Sequence, residues 1–279
     1  RAIDSRAFHA SGWMWLWSNG IFPTVRYEPL GRAGAELAAR YRMSRDPKPE
    51  QMSLTPIILS NHTSYLDGLI LGIVFGAPKI VAKAGCARVP VVGRLLQECG
   101  TVFVERGEKG SRQATLDAIA GHYEAWRPGQ RPLLIFPEGT TTNGEGMLDF
   151  KKGAFIGGLP VRPVLIVYTG QFDPANTSYK MTEKGPVKTS DAEWVAQFMG
   201  HFIHSIHVRV LAPYLPDEAE RADPELFAGN CRRHMAAELA RVREELRRTS
   251  WREAAGREGG RLGSKFGDAT RALWTTACG

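Results

Sequence analysis

Nothing in the cysteine usage of this chain points to a metal site or a disulfide framework. Cys86, Cys99, Cys231 and Cys278 are widely and irregularly spaced, with no Cys-x-x-Cys pair and no His/Cys finger spacing. Reduced thiols facing a cytosol are the expected state. Also missing is any run with the length and apolarity of a clear transmembrane helix. No Gly-x4-Gly-Lys-Ser/Thr loop, dinucleotide fingerprint or Gly-x-Ser-x-Gly elbow occurs, which argues against the common nucleotide-binding loops and the usual serine-hydrolase signature. There is no internal repeat and no low-complexity block.

What is present starts with charge. In 279 residues, 36 Lys and Arg stand against 29 Asp and Glu, a net charge of +7. That balance suits an anionic partner: nucleic acid, an acidic membrane surface or a phosphorylated ligand. Nucleic acid fits poorly, because Glu238, Glu244, Glu245 and Glu253 are interspersed along the basic C-terminal helix, the pattern of a solvated helix surface. From Ala7 to Val25 there is no Asp, Glu, Lys or Arg, and Trp13, Trp15 and Trp17 sit between Arg6 and Arg26. Ser11, Ser18, Asn19 and Pro23 make this stretch too polar and broken for a clear span. Its tryptophans and basic flanks suit an interfacial or re-entrant element, with a Trp-rich core helix as the alternative, so residues 1–30 are expected to be a membrane-associated segment. Gly68 to Pro78 is apolar all round but too short to span; it should be buried in the core or dip shallowly into lipid.

The remaining pattern alternates strand and helix. Strands are expected at Pro56–Leu59, Lys79–Lys83, Thr101–Val104, Pro132–Phe136, Val161–Tyr168 and His207–Leu211. Helices are expected at Gly31–Arg42, from Ser64 onward, and at Ser111–Trp126. Thr169–Ser190 reads as a long loop. Asp217–Arg252 reads as one long amphipathic helix, or two broken near Pro224, followed by a basic, Gly-rich tail. The expected fold is α/β: a layered domain over 31–215 with a central, mostly parallel or mixed sheet flanked by helices, then a C-terminal helical region over 216–279.

Four motifs carry the chemistry. In Ser60-Asn61-His62-Thr63-Ser64-Tyr65-Leu66-Asp67, a histidine with a nearby carboxylate can serve as an oriented general base. Five steps along an ideal helix rotate a side chain by roughly 500°, so the two meet only if His62 lies in the loop and Asp67 in the first helical turn. Ser64-x-x-Asp67 is a capping-box pattern that places the helix start at Ser64. Second, Gly100 to Arg106 is a strand delivering Arg106 to its carboxyl end, where a guanidinium can grip phosphate. Third, Leu134 to Gly144 is a buried strand ending in Pro137-Glu138-Gly139 and a hydroxyl-rich turn beginning at Thr140. Fourth, Lys151 and Lys152 precede a proline-shaped strand around Pro163. Singly, each has an ordinary structural reading: a cap, a surface cation, a turn, a solvated lysine pair.

In this order and spacing, from roughly Ile57 to Val167, the four resemble the glycerolipid acyltransferase superfamily. They are most similar to the lysophosphatidylcholine and lysophosphatidylethanolamine acyltransferases. The resemblance implies acyl transfer from acyl-CoA to the free hydroxyl of a lysophospholipid, with His62 as base and Asp67 supporting it. It implies that Arg106, Lys151 and Lys152 meet phosphates and that Glu138, Gly139 and Thr140 position the acceptor. Acyl-CoA would be a co-substrate, with no cofactor and no metal; the calcium-binding loops of some relatives are not found. By analogy the compartment is the endoplasmic reticulum membrane, with the active site toward the cytosol. Three alternatives stay open: the same chemistry on lysophosphatidate or glycerol 3-phosphate, a lipid hydrolase using His62 and Asp67 on water, and a non-enzymatic membrane-binding module.

Overall fold

The structure is a computed structural model that describes residues 5–88, 93, 96–97, 100–104, 111–170, 174, 179–183 and 185–249. The chain divides into two compact units, residues 1–236 and 237–279. In the second, residues 237–249 are helical and carry the ion pairs Glu238–Arg241 and Glu244–Arg248, whose arginines are exposed.

The first unit is built on a seven-stranded sheet. Its strands are β1 (Ile21–Tyr27), β2 (Ile57–Ser60), β3 (Lys79–Lys83), β4 (Val102–Val104), β5 (Leu133–Ile135), β6 (Val161–Thr169) and, after a two-stranded hairpin of β7 (Tyr179–Thr182) and β8 (Gly185–Lys188), β9 (His204–Val210). The spatial order is β1-β9-β6-β2-β5-β3-β4. Every neighbouring pair is parallel except β6 and β9. Strands β2 and β5 sit mid-sheet, which explains their unbroken apolar runs: Ile57–Ser60 and Leu133–Ile135 are buried on both faces.

The helix α1 covers Ser5–Ser18, α2 Gly31–Arg40, α3 Asp67–Val74, α4 Ser111–Ala125, α5 Asp191–Met199 and α6 Glu218–Ala222. The apolar stretch after His62 is α3, buried within the core cluster that also holds Ile58, Leu134, Val164 and Ile166. It is covered by α1. A Cβ on Gly12 would stand 2.8 Å from the Ile73 side chain, so glycine is what lets the two helices approach so closely. Leu16 of α1 is fully buried.

Several expectations are corrected. The uncharged stretch Ala7–Val25 divides into two elements: it forms α1 and then enters the sheet as β1, pairing in parallel with β9. Among the described residues no helix is long and apolar enough to cross a membrane. The loop expected over Thr169–Ser190 contains the β7–β8 hairpin, β9 begins three residues before His207, and α5 lies in a stretch with no assigned element. The helix expected from Ser64 begins at Asp67. Of the two C-terminal readings, the chain takes the broken one. Asp217 and Glu220 form a complete capping box, α6 ends at Ala222, and Asp223 is extended before Pro224.

Candidate active site

The candidate site lies where strands β2, β5 and β6 point their carboxyl ends, the side on which open parallel sheets gather ligands. Strand β2 ends at Ser60, but the side chain of Asn61 prolongs it. Its amide donates to the Ile166 carbonyl (3.0 Å) and its carbonyl accepts from the Ile166 N–H (2.9 Å). One side chain thus imitates a strand residue and holds the following loop against β6.

His62 is the next residue. Its Nδ1 lies 2.9 Å from Asp67 Oδ2. Asp67 is fully buried, and three more groups donate to its carboxyl. The N–H groups of Thr63 (2.6 Å) and Ser64 (2.9 Å) reach Oδ2, and the hydroxyl of Tyr168 reaches Oδ1 at 2.5 Å. The bonds from the Thr63 and Ser64 N–H groups explain the shifted helix start. Asp67 makes the backward half of a capping box, while the Ser64 hydroxyl accepts instead from the Leu66 N–H. With donors on both oxygens the carboxyl is acceptor only, so Nδ1 of the imidazole is the donor and Nε2 is the acceptor edge. The His62 side chain is 21 % exposed, and one ring face stacks on Phe136 at 4.2 Å.

Glu138 supports the same loop. One carboxyl oxygen accepts the His62 N–H (3.0 Å) and the other the Leu148 N–H (2.9 Å). Burial pushes its carboxyl above the ordinary carboxylate range, against the lowering effect of those two N–H bonds. Thr142 closes the third side: its N–H (2.8 Å) and hydroxyl (3.2 Å) both donate to the His62 carbonyl. Gly139 turns the chain with φ +73°, a conformation that suits glycine.

The other expected site residues are placed as follows. Thr140 is exposed beside this turn. The stem of Lys151 lies against Gly139, 3.8 Å from where a Cβ would stand, and its backbone N–H donates to the Pro137 carbonyl. Lys152 points elsewhere, to Glu225 at 2.6 Å, in an exposed pair. Arg106 lies outside the described residues. Among the described residues no cluster of three or more His, Cys, Asp or Glu side chains is arranged to hold a metal ion. Phe136 and Thr142 belong to the third motif, whose threonines were expected to donate hydrogen bonds, but Tyr168 was not singled out from sequence. A usable signal existed for Tyr168, since a tyrosine closing a buried strand needs a partner for its hydroxyl.

The family model described as Acyltransferase matches residues 47–167. Lysophosphatidylcholine acyltransferase 1 of Danio rerio is 36% identical over 194 residues, covering 69% of this chain and 35% of that protein. Lysophospholipid acyltransferase LPEAT1 of Arabidopsis thaliana is 33% identical over 192 residues, covering 68% and 46%. The chain therefore spans under half the length of these curated relatives. Among solved structures, the 1-acyl-sn-glycerophosphate (LPA) acyltransferase PlsC from Thermotoga maritima aligns with a TM-score of 0.49 at 18% identity, over 83% of this chain and 79% of that one. The motif order, the His62–Asp67 geometry and the lysophosphatidylcholine acyltransferase relatives lead to one conclusion: this chain belongs to the glycerolipid acyltransferase superfamily.

Proposed function

We propose that the protein transfers a fatty acyl group from acyl-CoA to the free hydroxyl of a lysophospholipid of the lysophosphatidylcholine or lysophosphatidylethanolamine type. The observation that carries the reading is the His62–Asp67 pair, with Nδ1 of a part-exposed ring held by a buried carboxylate, which leaves Nε2 as the accepting nitrogen. Nε2 takes the proton of the lysolipid hydroxyl as its oxygen bonds to the thioester carbonyl carbon. Asp67 stabilises the imidazolium so formed. When the C–S bond breaks, the CoA thiolate leaves and recovers that proton. A thiolate is a good leaving group, so neither a separate strong acid nor an acyl-enzyme intermediate is required.

Arg106 and Lys151 are the candidates for phosphate groups of acceptor or CoA, with Gly139 and Thr140 beside the acceptor. Glu138 acts on the acceptor through the loop it holds. Lys152 joins them only if it leaves Glu225. The reaction needs no resident cofactor. Its substrates are amphiphiles, so the protein works at a membrane surface, by analogy that of the endoplasmic reticulum with the site toward the cytosol.

The test is a panel of lysolipids and acyl-CoAs with CoA release measured by a thiol reagent. Release that requires a lysolipid, with the acyl chain recovered in phospholipid, supports the reading. Free fatty acid formed without acceptor would make the protein a hydrolase instead. His62→Ala should lower turnover by about 100- to 10,000-fold, the scale of losing a general base, while the protein still unfolds in one cooperative transition. Near-normal turnover would exclude His62 as the base.

A further inference from the structure

A second charge-free stretch lies in the fold beside the first. Between Glu193 and Arg209 there is no Asp, Glu, Lys or Arg, and this run packs against the one ending at Val25. The His204 N–H donates to the Gly20 carbonyl at 2.8 Å. A Cβ on Gly20 would stand 1.9 Å from the Phe202 carbonyl oxygen. Residues distant in sequence therefore make one surface. Helix α5 turns Trp194 and Phe198 into the core, stacked on each other. It leaves Val195 and Met199 outside, and the turn after it presents Phe202 at 90% and Ile203 at 69% exposure. Phe22 on the neighbouring β1 is half exposed, as are two tryptophans of α1.

The sheet register locates this patch relative to the site. Ser60 of β2 is level with Val164 of β6, and five residues further along β6, Thr169 is level with Ser205 of β9. The patch thus stands on the same rim as His62 and projects about 17 Å further than Ser60 along the strand direction. Tyr65 links the two. It is partly exposed three residues after His62, and packs edge-on against Trp194 at 5.3 Å. The Lys188 ammonium lies 6.0 Å from its ring centre.

We propose that Val195, Met199, Phe202 and Ile203 form a surface that inserts into the interfacial layer of a phospholipid bilayer and sets the His62 rim against it. Four large apolar side chains left exposed within residues 195–203 are the kind of grouping that marks a membrane or partner contact. A protruding turn tipped by Phe and Ile, flanked by tryptophan and free of charge, has the chemistry of an interfacial insertion. The cation beside it and the chain's net charge of +7 complement an anionic lipid surface. The choice of lipid as occupant rests on the lysophospholipid reading, since those acceptors reside in the bilayer. Access to His62 then comes from the membrane side.

The experiment is sedimentation of the full chain with phosphatidylcholine vesicles, with and without phosphatidylserine, comparing wild type with the double variant Phe202→Ser, Ile203→Ser. Both side chains are largely exposed, so the fold should survive; Met199→Gln provides a second variant. Vesicle partitioning should fall about ten-fold or more for the double variant, the scale of withdrawing two large apolar side chains from lipid. Turnover of a water-soluble short-chain lysolipid should be unchanged, while turnover of a long-chain lysolipid held in vesicles falls with binding. Unaltered partitioning in both variants would overturn the proposal. So would unaltered partitioning with loss of self-association, which would make the patch a contact between copies. Vesicle binding that depends on Phe202 and Ile203, with no CoA released on any lysolipid, would support this surface and refute the activity.

Discussion

Removing one oxygen, in Tyr168→Phe, tests the site's logic more sharply than removing the base. The phenol hydroxyl donates to Asp67 Oδ1 at 2.5 Å from a buried position. Among the described residues it is the one donor to that oxygen, whereas Oδ2 receives His62, Thr63 and Ser64. A hydrogen bond to a charged group contributes about 1.5–3 kcal/mol. In the variant, Asp67 keeps three donors and its place in the first turn of α3, so the native fold should persist with about 1–2 kcal/mol less stability. What is lost is the hold on the carboxyl's rotation about Cβ–Cγ, which aims Oδ2 at Nδ1. If roughly half the bond energy is expressed in that alignment, kcat falls by about ten-fold at a factor of ten per 1.36 kcal/mol.

The assay is CoA release over a range of acceptor concentrations. KM for both substrates should be unchanged, because Tyr168 bonds the carboxyl oxygen turned away from His62. A loss of stability with kcat unchanged would refute the reasoning and leave Tyr168 as core packing alone.

Glu138→Gln should lower stability by about 1–3 kcal/mol, because an amide offers one acceptor where two backbone N–H groups need them, and its NH2 faces a donor. Denaturant unfolding measures it, and kcat should drop with the acceptor KM nearly constant. The pH dependence has a defined sign. Burial raises the Glu138 carboxyl above its ordinary value of 4.5, so the native state holds that proton more tightly than the unfolded chain. Its contribution to stability is fully present below the unfolded value and is lost as pH rises through the folded one. The Gln variant should therefore show a flatter stability profile from mild acid upward. Lys151→Ala and Lys152→Ala should differ. The first should raise KM for acyl-CoA or acceptor several-fold, as the loss of an exposed phosphate contact would. The second breaks only an exposed pair with Glu225 and should change stability by less than about 1 kcal/mol, with kinetics unaltered.

How much of this was legible in the sequence depends on the distance over which each fact is decided. The relation of His62 to Asp67 is local, and helix phase alone requires one in the loop and the other in the first turn. The structure has both there, although the backward carboxylate bond moves the helix start from Ser64 to Asp67. The buried strands β2, β5 and β6 were visible as apolar runs for the same local reason. Strand β1 was hidden because it continues the same uncharged stretch as α1 with no break in composition, and its partner β9 lies 183 residues later at Ile21↔His204. Tyr168 contacts Asp67 across 101 residues and Glu138 contacts His62 across 76; no periodicity encodes such pairings, which are products of sheet register. That register also explains why the two kinds of information converge on one residue. Asn61 completes β2 with its side chain, Glu138 arrives from β5, and Ile166 and Tyr168 lie along β6, so three adjacent parallel strands each fix one side of the loop that holds His62. A motif can name the base, but its orientation is a property of the sheet, and substitutions at any of those three strand ends should lower kcat before they affect substrate affinity.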